Sequence, residues 1–506
     1  MNTKQPRLSQ SEQSPAKRKI DSKTSWICIF PYINSVRIDV KFPYARVLLN
    51  RRSQTGLKGA DTDPLTLDLP NPRSSHLAFA CIRPDMDAFD LLTLARKLVA
   101  AHDIKKVKVL SIAIQGFDAA VKEKIAEAVL AAVYAAAVDM PSYKSRQNKT
   151  ALTTVELYGV KTVHAFKRTR AEAEGNAVAR YLSMLPTNKL TPADYLGHVR
   201  QLARDYGWQL EFLDEAILKK KNAGAFLAVC QGSPNRDAGI VRLEYAPQSA
   251  ATGKKISLAG KGICYDTGGT NLKPAKHMFG MHEDMQGSAV ALGTLIALTR
   301  LEVDFTVECW LALARNDIGP KAYKANDVIT ASDGTTIEVV HTDAEGRMVL
   351  ADTLAMASST KPALLIDYAT LTGACVYSLG TGYSGVFTNK PEFNPVLIET
   401  GRQSGERVWP FPMDADYDKA IDSTIADVKQ CVLEGNADHI LAARFLQRFV
   451  KGKTPWIHMD LAASNNKGGL AHIPTESTAF GVRFTLNLLL DQRLPGLDIQ
   501  PYDSQP

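Results

Sequence analysis

The chain has 506 residues, 45% of them hydrophobic and 22% charged, with a formal net charge of +7. That length exceeds one ordinary hydrophobic core and that usage is typically globular, which excludes a disordered or fibrous chain and points to two domains. Seven scattered cysteines read as free thiols of a reducing compartment, and no window approaches about eighteen uncharged apolar residues, so a cytoplasmic protein with no membrane span and no secretory start is expected.

Residues 1–24 are polar and hold six basic residues against Glu12 and Asp21, a net +4, and are expected to form a disordered basic tail. Over 25–166, β-like runs such as Val107-Lys-Val-Leu-Ser-Ile-Ala-Ile alternate with an alanine-rich helix at 118–137. This predicts a smaller N-terminal α/β domain, in which no catalytic constellation is visible. Residues 167–190 read as a linker helix. In 191–506, strand-like runs at 255–260, 304–314, 363–369 and 456–461 alternate with helical patterns at 288–301, 348–358 and 439–450. The expected fold class is α/β, the larger C-terminal domain having a mixed β-sheet sandwiched between helices. The tail and the Lys219-Lys-Lys-Asn222 run leave room for nucleic acid, although a modest basic excess usually serves solubility.

Two stretches carry chemistry: Lys261-Gly-Ile-Cys-Tyr-Asp266-Thr-Gly-Gly, running on through Lys273 to Asp284, and His341-Thr-Asp343-Ala-Glu345-Gly-Arg347. Asp266, Asp284, Asp343 and Glu345 sit in glycine-rich segments bounded by apolar runs. Four such carboxylates cannot converge in a protein interior and stay ionised without cations. Lys255-Ile-Ser-Leu-Ala-Gly260 reads as a strand whose end delivers Lys261 and Asp266, and Asp266-Thr-Gly268-Gly269 as a turn. An extended reading of the second stretch puts Asp343, Glu345 and Arg347 on one side, with an amphipathic helix following from Met348. Two divalent ions balance four carboxylates, so a further ligand should be neutral. Lys261 qualifies if the ions bring its amine far below about 10.4. Carboxylates and an amine without a thiolate cluster suit Zn²⁺, Mn²⁺ or Mg²⁺. The Asp-Thr-Gly triplet also occurs in aspartic proteases, but that reading wants a second triplet, and Asp333-Gly334 is not one. No Gly-x-x-x-x-Gly-Lys-Ser/Thr phosphate loop is present.

Over most of 170–490 the chain resembles the leucyl aminopeptidases, the M17 or cytosol aminopeptidase family. The resemblance is carried by Leu185-Pro-Thr-Asn188, Val229-Cys-Gln-Gly-Ser233, Asp266-Thr-Gly-Gly269, Leu272-Lys273-Pro274, Thr342-Asp-Ala-Glu-Gly-Arg347, Ala369-Thr-Leu-Thr-Gly373 and Gly481-Val-Arg483. It implies that Lys261, Asp266, Asp284 and Glu345 hold a tightly bound metal and that Asp266, Asp343 and Glu345 hold a more exchangeable one. It implies Zn²⁺ or Mn²⁺, with Mg²⁺ or Co²⁺ as further occupants of the exchangeable site. Lys273 would polarise the scissile carbonyl, and Arg347 would hold a bicarbonate ion acting as general base. Met281, Thr370, Leu371, Gly373 and Ala462 resemble the lining of the pocket for the N-terminal side chain.

The activity so implied is removal of leucine-like N-terminal residues, broadly chosen, from peptides with a free N-terminus, by a homohexamer built as a dimer of trimers. The chain departs from the common pattern at His341, where asparagine is usual, at His282, where lysine is common, and at Asn465, near a position often apolar. The histidines could be hydrogen-bonding neighbours of the metals or proton carriers; a plain structural role is the commoner one. The rival class is a DNA-binding or catalytically silent relative that keeps the fold.

Overall fold

Sheets covered on both faces need strands that are apolar along nearly their whole length. Ser25–Ile33, His76–Ile82 and Val109–Ile114 are of this kind and almost entirely buried. In the computed structural model, which describes residues 4–39, 41–147, 149–247 and 253–497, they form the centre of an N-terminal sheet. Its order is Arg7–Ser11, Thr154–Tyr158, Val109–Ile114, Ser25–Ile33, His76–Ile82, Leu65–Asp68. All neighbours are parallel except the last pair. The Ala88–Ala100 and Ala119–Ala136 helices cover one face, each opened by an aspartate, Asp87 or Asp118, that accepts a backbone N–H of its first turn.

Residues 4–24, expected as part of a disordered tail at 1–24, are not a free tail. Residues 1–3 lie outside the described residues, but Arg7–Ser11 is an edge strand with Arg7 opposite Thr154, and Lys17–Asp21 is a short helix whose Ile20 is buried with Trp26. Part of the charge that suggested solvation is held in ion pairs: Lys23 with Glu156 at 2.6 Å, Lys19 with Glu156 at 3.7 Å and Lys17 with Asp21 at 2.9 Å. A short polar edge strand buries too little apolar surface to stand out in composition.

The helix Lys167–Ser183 leads into the second body. It crosses Gln286–Leu301 so closely that a Cβ on Gly175 would lie 2.0 Å from the Gly293 carbonyl oxygen. The second sheet has eight strands in the order Val408–Pro410, Ser384–Thr388, Trp456–Asp460, Leu364–Ala369, Lys255–Asp266, Thr306–Asn316, Gly239–Tyr245, Gln209–Asp214. Its middle four are parallel; Ser384–Thr388, Gly239–Tyr245 and Gln209–Asp214 each pair antiparallel with the strand on their inner side, and the outermost Val408–Pro410 pairs parallel with Ser384–Thr388. Gln286–Leu301 and Val482–Asp491 pack on one face, and Glu345–Ser359 and Asp438–Gln447 on the other. This is a mixed sheet between helix layers, as expected. A three-stranded sheet of Val328–Thr330, Thr336–Glu338 and Val428–Lys429 stands beside it. All seven cysteines are free and buried, and among the described residues no helix is long and apolar enough to cross a membrane.

Candidate metal centre

Because the four central strands run parallel, their carboxyl ends meet at one edge of the sheet, where α/β folds collect ligands. Lys261 and Asp266 lie on the Lys255–Asp266 strand, which runs six residues past its expected end and shifts register between Ile263 and Asp266. Asp284 follows the 3₁₀ turn Met281–Glu283, two residues before the Gln286–Leu301 helix. Asp343 sits in a turn, and Glu345 opens the Glu345–Ser359 helix. The extended reading of Asp343 to Arg347 is thereby corrected: Glu345 and Arg347 occupy a first helical turn, since Gly346 and the apolar run after it favour burial of a helix on all sides. That helix is nearly all buried rather than amphipathic.

The side chains converge. Lys261 Nζ lies 2.8 Å from Asp284 Oδ1 and 2.8 Å from Glu345 Oε1, and donates to the Thr370 carbonyl at 3.0 Å. Lys273 Nζ lies 2.8 Å from Asp266 Oδ2 and 2.5 Å from Asp343 Oδ1. Oxygens of Asp266, Asp343 and Glu345 fall within 4.8 Å of one another. Lys261 is 3% exposed and Glu345 1%, whereas Asp343 is half-buried toward the opening. Gly346 makes room: a Cβ there would lie 2.6 Å from Lys261 Cε.

Burial, then repulsion from Glu345, pushes the Asp266 carboxyl up to about 7, against the pull of Lys273. Asp284 is raised well above the carboxylate range, first by burial and then by Glu345 and Asp266, against the pull of Lys261. For Lys261, burial works against the charge but Asp284, Glu345 and Asp266 outweigh it, so the ammonium is held above its ordinary value. Two ammoniums therefore face four carboxylates, of which burial holds Asp266 and Asp284 above the ordinary carboxylate range. Asp284 Oδ2 and Glu345 Oε2 are buried with no hydrogen-bond partner. Orphaned carboxylate oxygens beside an amine, with no thiol in the cluster, are a donor set that fits divalent cations.

Several polar residues that sequence reasoning missed hold this set in place. Asn316 donates to Asp266 Oδ1 at 2.8 Å and to the Thr342 carbonyl at 3.0 Å, and Tyr323 donates to that carbonyl at 2.7 Å. Thr342 Oγ1 donates to the Gly268 carbonyl at 2.6 Å and accepts from Asn271 N at 2.9 Å, tying the two ligand segments together. The available signal was that Asn316 ends a strand in register with Asp266. Arg347 is buried, its Nη1 bonded to the Gln430 carbonyl at 3.0 Å and its Nη2 to both Asp438 oxygens at 2.9 and 3.1 Å, while Nε has no partner.

Residues 177–486 match the model of the cytosol aminopeptidase family, catalytic domain. The chain belongs to the cytosol aminopeptidase family. Membership places it among the metal-dependent aminopeptidases, which are hydrolases. It is similar to a probable cytosol aminopeptidase of Wolbachia pipientis wMel, 40% identical over 65% of this chain and 66% of that protein. Among solved structures, a tomato leucine aminopeptidase mutant superposes with a TM-score of 0.83 at 25% identity, covering 96% of this chain and 97% of that one. The bottromycin maturation enzyme BotP in complex with Mn superposes with a TM-score of 0.77 at 28% identity, covering 91% and 98%. The fold class expected from sequence agrees with this relation.

The residues expected to line the side-chain pocket lie on loops and helix starts near Asp284 and Asp460. Met281 is three residues before Asp284, and Thr370 donates to Asp284 Oδ1 at 2.9 Å. Leu371 N donates to Asp460 Oδ1 at 3.2 Å, Gly373 starts the helix Gly373–Leu379, and Ala462 N donates to the Asp460 carbonyl at 2.9 Å. His341 Nδ1 accepts from Asp343 N at 3.3 Å. His282 is half-buried, and burial lowers its pKa. Asn465 donates to Glu283 at 2.6 Å and accepts from Gln286 at 3.0 Å.

Proposed function

We propose that this chain is a metal-dependent aminopeptidase that removes N-terminal residues from peptides with a free N-terminus, leucine-like ones among a broad set. The observation that carries the reading is the convergence of four carboxylates and two lysines at the sheet edge, with buried oxygens left unpartnered. Lys261, Asp266, Asp284 and Glu345 would hold one divalent ion, and Asp266, Asp343 and Glu345 a second, exchangeable one. Such ions supply Lewis-acid polarisation of a carbonyl and acidify water.

The chain's own groups do the rest. Lys273 presents an ammonium at the rim of the cluster, partly exposed, where it can donate to the oxygen that gains charge as a peptide carbonyl is attacked. Arg347 offers Nε, its one unpartnered donor, for an anion, and bicarbonate there would accept a proton from the attacking water. Met281, Thr370, Leu371, Gly373 and Ala462 would line an apolar pocket beside Asp284, and Met281 suits several side-chain shapes.

Zn²⁺ or Mn²⁺ is the proposed pair, with Mg²⁺ or Co²⁺ as alternatives at the exchangeable site. A cytoplasmic setting is supported by seven free, buried thiols. A homohexamer, two trimers face to face, is the proposed assembly. Phe279 and Tyr377, 92% and 89% exposed, supply apolar surface for subunit contact.

The test is hydrolysis of aminoacyl amides, free and N-acetylated, by metal-stripped protein reloaded with Mn²⁺ or Zn²⁺. Metal-dependent cleavage of the free-amine series alone is expected. Cleavage of both series would sink the exopeptidase reading, and no cleavage with both metals bound would favour a silent relative.

A further inference from the structure

The segment from Val340 to Arg347 carries Asp343, Glu345 and Arg347, yet Val340 to Ala344 belongs to no strand or helix. Its local bonds are few: Ala344 N to the His341 carbonyl at 3.1 Å and Asp343 N to His341 Nδ1 at 3.3 Å. Buried backbone groups of such a turn must find partners elsewhere. Asn271, Asn316 and Tyr323 serve Thr342, and Gln430, which is 0% exposed, serves Val340, His341 and Ala344 from more than eighty residues away. Its Oε1 accepts from Val340 N at 2.9 Å and His341 N at 3.1 Å, and its Nε2 donates to the Ala344 carbonyl at 3.2 Å. Its backbone N donates to the Glu338 carbonyl and its own carbonyl accepts from Arg347 Nη1, both at 3.0 Å. Pairing of Val428–Lys429 with Ile337 and Glu338 delivers Gln430 in register.

We infer that Gln430 is the positioning residue that clamps both ends of the turn bearing Asp343 and Glu345, and so sets the geometry of the exchangeable metal site. The inference rests on the proposed assignment of those two carboxylates as ligands. A primary amide is suited to the task because one planar group offers both acceptor and donor. Glutamate would keep the acceptors for Val340 and His341 but lose the donor to Ala344. Methionine fills a similar volume with neither, and asparagine is one methylene short.

The experiment compares Gln430→Met and Gln430→Glu with wild type in amide hydrogen exchange over residues 338–346, in Mn²⁺ binding by equilibrium dialysis, and in kcat and KM for aminoacyl-amide cleavage. In Gln430→Met, exchange at Val340 and His341 should accelerate about tenfold, the loss of one part-buried hydrogen bond each, while Leu364–Ala369 keeps wild-type protection. Mn²⁺ affinity at the weaker site should fall about 10–100-fold, and kcat should fall with little change in KM. Gln430→Glu should retain slow exchange at Val340 and His341 and restore part of the loss. Wild-type exchange in Gln430→Met, or fast exchange with wild-type Mn²⁺ binding and kcat, overturns the inference. If Gln430→Met does not fold, Gln430→Glu decides alone: slow exchange at both amides supports the clamp and fast exchange refutes it. Absence of metal-dependent cleavage by wild type would instead refute the aminopeptidase reading, because the exchange readout needs no activity.

Discussion

Lys261 is fixed at three points, Asp284, Glu345 and the Thr370 carbonyl, so its stem cannot swing aside without breaking the cluster. Gly346 is what lets it pass. Alanine in place of glycine favours a helix by about 1 kcal/mol, but the new methyl would meet Lys261 Cε at 2.6 Å and Nζ at 2.7 Å. The clash outweighs the propensity gain, because it displaces the amine from its buried partners. Gly346→Ala is therefore expected to lose about tenfold or more in kcat together with bound metal, and with the metal the stability that a bound cation lends. Metal analysis and steady-state rates on the same preparation check this. Wild-type turnover would mean that Lys261 is not needed where it stands.

Between elements, backbone contacts rather than side chains set the tolerances. At the crossing of Lys167–Ser183 with Gln286–Leu301 the obstacle to a Gly175 side chain is the Gly293 carbonyl, which cannot rotate away as a lysine tip can. Overpacking of about 1–3 kcal/mol should outweigh the propensity gain, so Gly175→Ala is expected to lower stability in thermal or urea unfolding while leaving the specific activity of folded protein unchanged. Glu406 serves the start of the Val482–Asp491 helix by accepting Gly481 N at 2.9 Å and Phe484 N at 2.7 Å with one buried oxygen. Burial pushes its carboxyl up to about 7 despite those bonds. The folded state then binds the extra proton, so stability falls as pH rises from about 4.5 through about 7, by an amount on the order of 3 kcal/mol. Glu406→Gln keeps an acceptor and removes the charge, so its stability relative to wild type should rise across that window and level off above it; a flat difference would place the titration elsewhere. These elements were legible in unequal measure. The strands at 363–369 and 456–461 and the alanine-rich helix announce themselves, because burial leaves mostly apolar runs, interrupted in the strands only by Asp367, His458 and Asp460. The Asp266 and Asp343 segments announce themselves because few other arrangements need such chemistry. The helical start at Glu345 was hidden by an alternation that suits a strand equally well. Asn316, Gln430 and Asp438 were hidden because a neutral amide or a lone carboxylate has meaning only through partners that the fold brings from fifty to ninety residues away.

For the whole molecule, the cluster is also a cross-link. Its carboxylates and amine come from a central strand, from the turn before Gln286–Leu301, from the turn at Asp343 and from the first residue of Glu345–Ser359, on both faces of the sheet. A cation bound only by the assembled set stabilises the folded state by mass action, about 2.7 kcal/mol at a free concentration one hundred times its dissociation constant. The unfolding midpoint should therefore climb with the logarithm of Mn²⁺ or Zn²⁺ concentration and fall on chelation. Asp266→Ala, which removes the ligand proposed to serve both ions, should lose most of that climb. Gly175→Ala should start from a lower midpoint yet climb in parallel with wild type, because the damage lies in the helix crossing and not in the cluster. A wild-type midpoint indifferent to divalent ions would mean that four converging carboxylates are held by Lys261 and Lys273 alone. In that case Asp266→Ala should leave the metal-independent midpoint raised, since it would relieve the burial and the repulsion from Glu345 that now push its carboxyl up to about 7. The two outcomes differ in whether the wild-type midpoint climbs with metal and are read from one set of melting curves.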